Sequence, residues 1–125
     1  MDNKKRVLII DDEAVVLESL KGLLELSGYE VGAIQETKDI MQRVKSFKPQ
    51  LILLDLLMPH LGGFEICELL NADKETQGIP IIVVSALSKE ADIKKAYHLG
   101  VVGYVSKPYD FQKLLHEINK AIAFK

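Results

Sequence analysis

Five side chains spread along the sequence could together handle a phosphoryl group: Asp11, Asp12, Asp55, Ser85 and Lys107. Asp55 closes the apolar run Leu51-Ile52-Leu53-Leu54 and is followed at once by Leu56-Leu57-Met58-Pro59. An ionised carboxylate is costly to bury unless it is paired, hydrogen-bonded or bound to a metal. Partners are available elsewhere: Asp11-Asp12-Glu13 closes an earlier apolar run, Ser85 a later one, and Ser106-Lys107-Pro108 the last. Three ionised carboxylates in one place require a cation. Oxygen donors with no His or Cys beside them favour a hard ion such as Mg²⁺, which takes one or two carboxylates plus waters and phosphate oxygens. Lys107 is then free to meet an anionic ligand, and Ser85 can donate a hydrogen bond to it. A metal, a lysine and a hydroxyl around one aspartate make a phosphoryl site with the aspartate as nucleophile.

These residues converge only if the right elements carry them. Short apolar runs at Val7–Ile10, Val31–Ile34, Leu51–Leu54, Ile79–Val84 and Val101–Val105 read as strands, mostly without the alternation of a half-exposed sheet. Amphipathic stretches lie between and after them. The first is marked by Val16, Leu20, Leu23 and Leu24 and stops at Gly28. The second carries Ile40, Met41, Val44 and Phe47, with Thr37 as its cap and Pro49 as its limit. Phe64, Ile66, Cys67, Leu69 and Leu70 mark the third; Ile93, Ala96 and Tyr97 the fourth, with Ser88 as cap and Gly100 as stop. Phe111, Leu114, Leu115, Ile118 and Ile122 mark the fifth, capped by Asp110. The order βαβαβαβαβα predicts an α/β fold: a parallel sheet with right-handed crossovers and helices on both faces. Asn71–Gly78 is polar and is expected as a mobile loop. In an open α/β sheet, ligands bind beyond the carboxyl ends of the strands, where strand order reverses. If strands one and three are neighbours, Asp11, Asp12 and Asp55 meet there, with Ser85 and Lys107 on the next two strands.

Composition agrees with one domain over residues 1–125 that buries a real core: 48% of residues are hydrophobic and 27% charged. Residues 1–88 carry 9 basic and 14 acidic side chains, and residues 89–125 carry 7 and 4, so the net charges are −5 and +3. The basic C-terminal part reads as a solvated surface rather than a nucleic-acid patch. A single cysteine, Cys67, excludes an internal disulfide and fits a cytoplasmic setting. No apolar run is long enough for a membrane span, and Val7–Ile10 is too short for a signal-peptide core.

Four motifs in order, Asp11-Asp12, Leu54-Asp55-Leu56-x-Met58-Pro59, Ser85-Ala86 and Tyr104-Val105-Ser106-Lys107-Pro108, resemble the receiver domain of two-component response regulators. The spacings of 30 residues from Asp55 to Ser85 and 22 from Ser85 to Lys107 strengthen the match, which covers essentially the whole chain. The resemblance implies a flavodoxin-like (βα)5 doubly wound fold with strand order 2-1-3-4-5. It also implies that Asp55 is the phosphoacceptor, charged by a phosphohistidine on a sensor histidine kinase or histidine phosphotransfer protein. Asp12, Asp55 and the backbone carbonyl of Leu57 would ligate Mg²⁺ directly, and Asp11 would act through a water. Lys107 would pair with the phosphoryl oxygens, with a cis bond to Pro108. Ser85 and Tyr104 would form the switch, remodelling a surface of helix four, strand five and helix five for a downstream protein target or output domain. No direct nucleic-acid binding and no separate substrate, hence no enzyme in the ordinary sense, are expected.

The sequence departs from the family pattern in places. Met58-Pro59-His60-Leu61-Gly62-Gly63 stands where M-P-x-M-D-G is usual, and the extra glycine is expected to loosen the loop. Ser85 replaces the commoner threonine and weakens the expected coupling to Tyr104. Leu57 and Leu87, each two residues past a site residue, cannot orient an attacking water, which implies slow autodephosphorylation. The plainer readings are an N-cap role for Asp11-Asp12, a core role for Tyr104, an exposed loop position for His60, helix-surface positions for His98 and His116, and inert packing for Cys67. Two rival functions stand beside the receiver. An aspartate-nucleophile phosphatase of the haloacid dehalogenase type needs an acid where Leu57 stands. A flavodoxin-like flavin carrier needs a hydroxyl-rich phosphate loop where Asp11-Asp12-Glu13 stands.

Overall fold

The structure is a computed structural model that describes residues 3–58 and 61–123. Pro59 and His60, in the loop after Asp55, lie outside the described residues, so the reading of His60 does too.

Five strands, β1 (Arg6–Ile10), β2 (Glu30–Ile34), β3 (Leu51–Leu54), β4 (Ile81–Ser85) and β5 (Gly103–Ser106), alternate with five helices. The helices are α1 (Ala14–Leu26), α2 (Ile40–Phe47), α3 (Gly63–Ala72), α4 (Glu90–His98) and α5 (Phe111–Ala123). All strand pairs are parallel and the order is β2-β1-β3-β4-β5, as the resemblance implied. The period-2 pleat divides the core in two. Val7, Ile9, Leu51, Leu53, Ile82 and Val84 pack with Leu17, Leu20 and Leu24 of α1 and Leu114 and Ile118 of α5. Leu8, Ile10, Ile52, Leu54, Ile81 and Val83 face Ile40 and Val44 of α2, Ile66, Cys67 and Leu70 of α3, and Ala96 of α4. Because β1, β3 and β4 are covered on both faces, their residues Val7–Ile10, Leu51–Leu54 and Ile81–Val84 are all apolar. The edge strand β5 alternates between buried and partly buried positions, and β2 mixes buried and exposed ones.

Several local expectations need correction. Thr37 does not cap α2: its carbonyl accepts the Ile40 N–H at 3.2 Å in a turn, and Asp39, in the left-handed region at φ 56°, is the N-cap. Ser88 does not cap α4: Lys89 holds that position without a side-chain bond, and the acidic Glu90 and Asp92 of the first turn suit the helix dipole instead. Asp110 does cap α5, its carboxylate accepting the Gln112 N–H at 2.9 Å. Gly28 and Gly100, at φ 100° and 94°, end α1 and α4 as expected. Strand β4 starts two residues later than its apolar run because the Ile79 N–H turns back to Thr76 and Pro80 has no N–H to give. Strand β5 starts late for a similar reason: the Val101 N–H is taken by the Ala96 carbonyl. Nor is Asn71–Gly78 loop throughout. Its first two residues finish α3, and Thr76 is buried, its hydroxyl donating to the Leu70 carbonyl at 2.7 Å.

Candidate functional site at the carboxyl end of the sheet

Register brings the acidic residues together. Ile10 pairs with Leu54 across β1 and β3, so the next residues, Asp11 and Asp55, leave the sheet side by side. Both are buried, and Asp12 beside them is partly so. Each backbone exit is fixed: the Asp11 N–H donates to the Ile34 carbonyl at 3.1 Å and the Asp55 N–H to the Ile10 carbonyl at 3.0 Å. The side chains are held by the backbone just beyond them. Asp11 accepts the Glu13 N–H and Asp55 accepts the Leu57 N–H, each at 3.0 Å. Carboxylate oxygens of Asp11, Asp12 and Asp55 lie within 4.8 Å of one another.

Strands β4 and β5 supply the other two groups. Ser85 pairs with Ser106, and the Lys107 N–H continues the ladder to the Ser85 carbonyl at 2.8 Å. The Lys107–Pro108 peptide is cis, as expected. Lys107 Nζ is 3.1 Å from Asp11 Oδ2, 3.5 Å from Asp55 Oδ2 and 3.8 Å from Glu13 Oε1. The lysine therefore binds the carboxylates themselves in this structure. Glu13 belongs to this group, and the acidic triplet after β1 was its sequence signal. Ser85 is fully buried, its hydroxyl accepting the Leu87 N–H at 3.3 Å. Tyr104, partly buried, donates its hydroxyl to the Leu87 carbonyl at 2.5 Å. Leu57 is half exposed.

The electrostatics follow from burial. Desolvation pushes the Asp55 carboxyl above the ordinary carboxylate range, against the opposing Leu57 N–H and Lys107 charge; the neighbouring Asp11 charge adds to the rise. Burial alone would lower the Lys107 ammonium, but its bond to Asp11 and the charges of Asp55, Asp11 and Glu13 outweigh that and raise it. Asp55 is thus a carboxylate strained by its surroundings, which a further cation would relieve. Three oxygen donors at this spacing, with one lysine to balance them, suit a hard divalent ion. Away from the site, burial pushes the Cys67 thiol up to about 11, in keeping with inert packing. His98 and His116 are exposed on their helices, as expected.

The profile of the response regulator receiver domain matches residues 7–119. The chain belongs to that family. Phosphorelay signalling is the role of receiver domains. Among similar proteins, PilH of Pseudomonas aeruginosa is 34% identical over 118 residues, covering 94% of this chain and 98% of PilH. The DNA-binding response regulator MtrA of Mycobacterium tuberculosis is 29% identical, and this receiver spans 50% of its length. A CheY-like receiver domain protein from Methanospirillum hungatei superposes with a TM-score of 0.87 at 28% identity, covering 97% of this chain and 95% of that one. Chemotaxis protein CheY4 of Vibrio cholerae, at 20% identity, shares the fold with a TM-score of 0.87 over 94% of this chain and 98% of its own. Among the described residues, no helix of the receiver is long and apolar enough to cross a membrane.

Proposed function

We propose that this receiver, a single domain over residues 1–125, takes a phosphoryl group onto Asp55 from a phosphohistidine. The donor is a sensor histidine kinase or a histidine phosphotransfer protein, in the cytoplasm. The observation that carries the reading is the convergence of Asp11, Asp12, Asp55 and Lys107 at one end of the sheet. An Asp55 carboxylate oxygen attacks phosphorus, the P–N bond to the imidazole breaks, and its electron pair leaves with the ring nitrogen. The product is an acyl phosphate on the chain itself, with no separate substrate turned over. Asp12, Asp55 and the Leu57 carbonyl would hold Mg²⁺, with Asp11 acting through water. The ion supplies charge neutralisation for the transferring group. Lys107 moves from the carboxylates to a phosphoryl oxygen, a short step for an ammonium on a flexible stem. Ser85 turns its hydroxyl to another such oxygen, and Tyr104 responds, changing the surface of α4, β5 and α5 that meets a protein target or output domain.

The test is intact mass after incubation with acetyl phosphate and Mg²⁺, for wild type and Asp55→Asn. Wild type gains one phosphoryl group and loses that ability when Mg²⁺ is chelated; Asp55→Asn gains none. Uptake by Asp55→Asn equal to wild type would overturn the assignment.

A further inference from the structure

Ser85 and Tyr104 both bond the backbone of Leu87, three residues before α4. A different set of contacts reaches α4 itself. Gly63, the first residue of α3, sits on the backbone just past Asp55: its N–H donates to the Leu56 carbonyl at 3.2 Å. A Cβ there would fall 2.6 Å from the Asp55 carbonyl oxygen and 2.5 Å from Leu56 Cα. No residue but glycine seats α3 this close. The next residue, Phe64, has the Lys95 ammonium of α4 4.3 Å from its ring centroid. Further along α3, the Asn71 amide donates to the Leu99 carbonyl, the C-cap of α4, at 2.5 Å. Helix α4 fully buries only Ala96, with Ile93 partly buried and its C-cap Leu99 packed against the core, and the ties to α3 add to that small apolar contact.

We infer that α3 is a second lever between the acceptor and α4. Gly63 senses the Asp55–Leu56 backbone, and Lys95 and Asn71 are positioning residues that pass the position of α3 to α4, independently of Ser85 and Tyr104. The inference rests on Asp55 being the acceptor. Coupling of this type is established by its free energy, not by adjacency.

The experiment is amide hydrogen exchange of α4 before and after acetyl phosphate with Mg²⁺, with phosphoryl uptake read by mass in the same samples. The variants are Lys95→Met/Asn71→Ala and Lys95→Arg; both positions are exposed. Wild-type α4 changes its protection on phosphorylation. The double variant takes up phosphate fully, but its α4 response falls by about threefold, the scale of one exposed cation–π contact. Lys95→Arg, which keeps a cation over the ring, retains the response. A phosphorylated double variant whose α4 responds as wild type does would overturn the lever alone, as would a phosphorylated wild type whose α4 is silent. A wild type that takes up no phosphoryl group would overturn the acceptor reading and the lever with it.

Discussion

Asp55 is buried against its own interest, and its neighbours set how long a phosphoryl group would stay on it. The side chain of Leu57, half exposed two residues on, would present no polar atom to a water approaching an acyl phosphate at Asp55. Replacing it with asparagine restores a group that can orient such a water, so Leu57→Asn is expected to lose phosphate faster than wild type when the phosphorylated protein is followed by mass. Equal lifetimes would show that Leu57 does not limit hydrolysis. The candidate site was legible residue by residue because each member lies within two residues of the end of an apolar run and is of a type that does not belong in it. The pairing of Lys107 with the carboxylates was not legible. Sequence alone offered it an anionic ligand, whereas the geometry gives it Asp11 and Asp55 first. Thr76 was missed as well, since a threonine in a polar stretch carries no sign that its hydroxyl will close the end of α3.

At the scale of elements, two adjacent glycines do opposite things. Gly63 has no room for a Cβ against fixed backbone, so Gly63→Ala is expected to cost roughly 1–3 kcal/mol and to slow phosphoryl uptake by displacing the Asp55–Leu56 peptide. Gly62, the N-cap of α3, has ordinary extended backbone at φ −73° and ψ 162°, and its N–H is held by Glu65 Oε1 at 3.3 Å. Gly62→Asp would complete a capping box and is expected to raise stability by about 0.3 kcal/mol, readable as a higher denaturant midpoint. Lys45 of α2 bonds Asp73 beyond α3 at 2.6 Å. That bond holds the Asp73 carboxyl below its ordinary 3.8 and the Lys45 ammonium above its ordinary 10.5. A depressed carboxyl stabilises the fold above 3.8 and loses that effect as pH falls through its lowered value; a raised ammonium stabilises below 10.5 and loses it as pH rises through its raised value. Lys45→Met is therefore expected to melt below wild type at neutral pH, to converge with it in strong acid, and to differ less in high salt because both partners are partly exposed. Strand and helix order was legible from apolar periodicity, but helix starts were not. Thr37 and Ser88 have the right chemistry for caps, yet nearby turns move the true starts to Ile40 and Glu90.

For the whole molecule, the balance of charge at one end of the sheet links stability to metal. An ion that binds the folded acidic group but not the unfolded chain stabilises by mass action, about 2.7 kcal/mol at a hundredfold excess over Kd. Thermal melts in increasing Mg²⁺ are expected to shift upward for wild type and to stay flat for Asp12→Asn. The strand order came from family likeness and not from periodicity, because which buried strands neighbour each other leaves no trace in their hydrophobicity. That order has a consequence for joining. Parallel strands put every carboxyl end on one side, so β1 enters the sheet on the opposite side, where the Gln50 N–H meets the Arg6 carbonyl. Helix α5 leaves Ser106 and Lys107 and runs back the same way, and Asn119 in its last turns bonds Tyr29 just before β2. The start of β1 and the end of α5 thus share the pole remote from Asp55. A segment joined before β1 or after α5 would therefore start from the base of the domain, away from the acidic cluster of Asp11, Asp12 and Asp55.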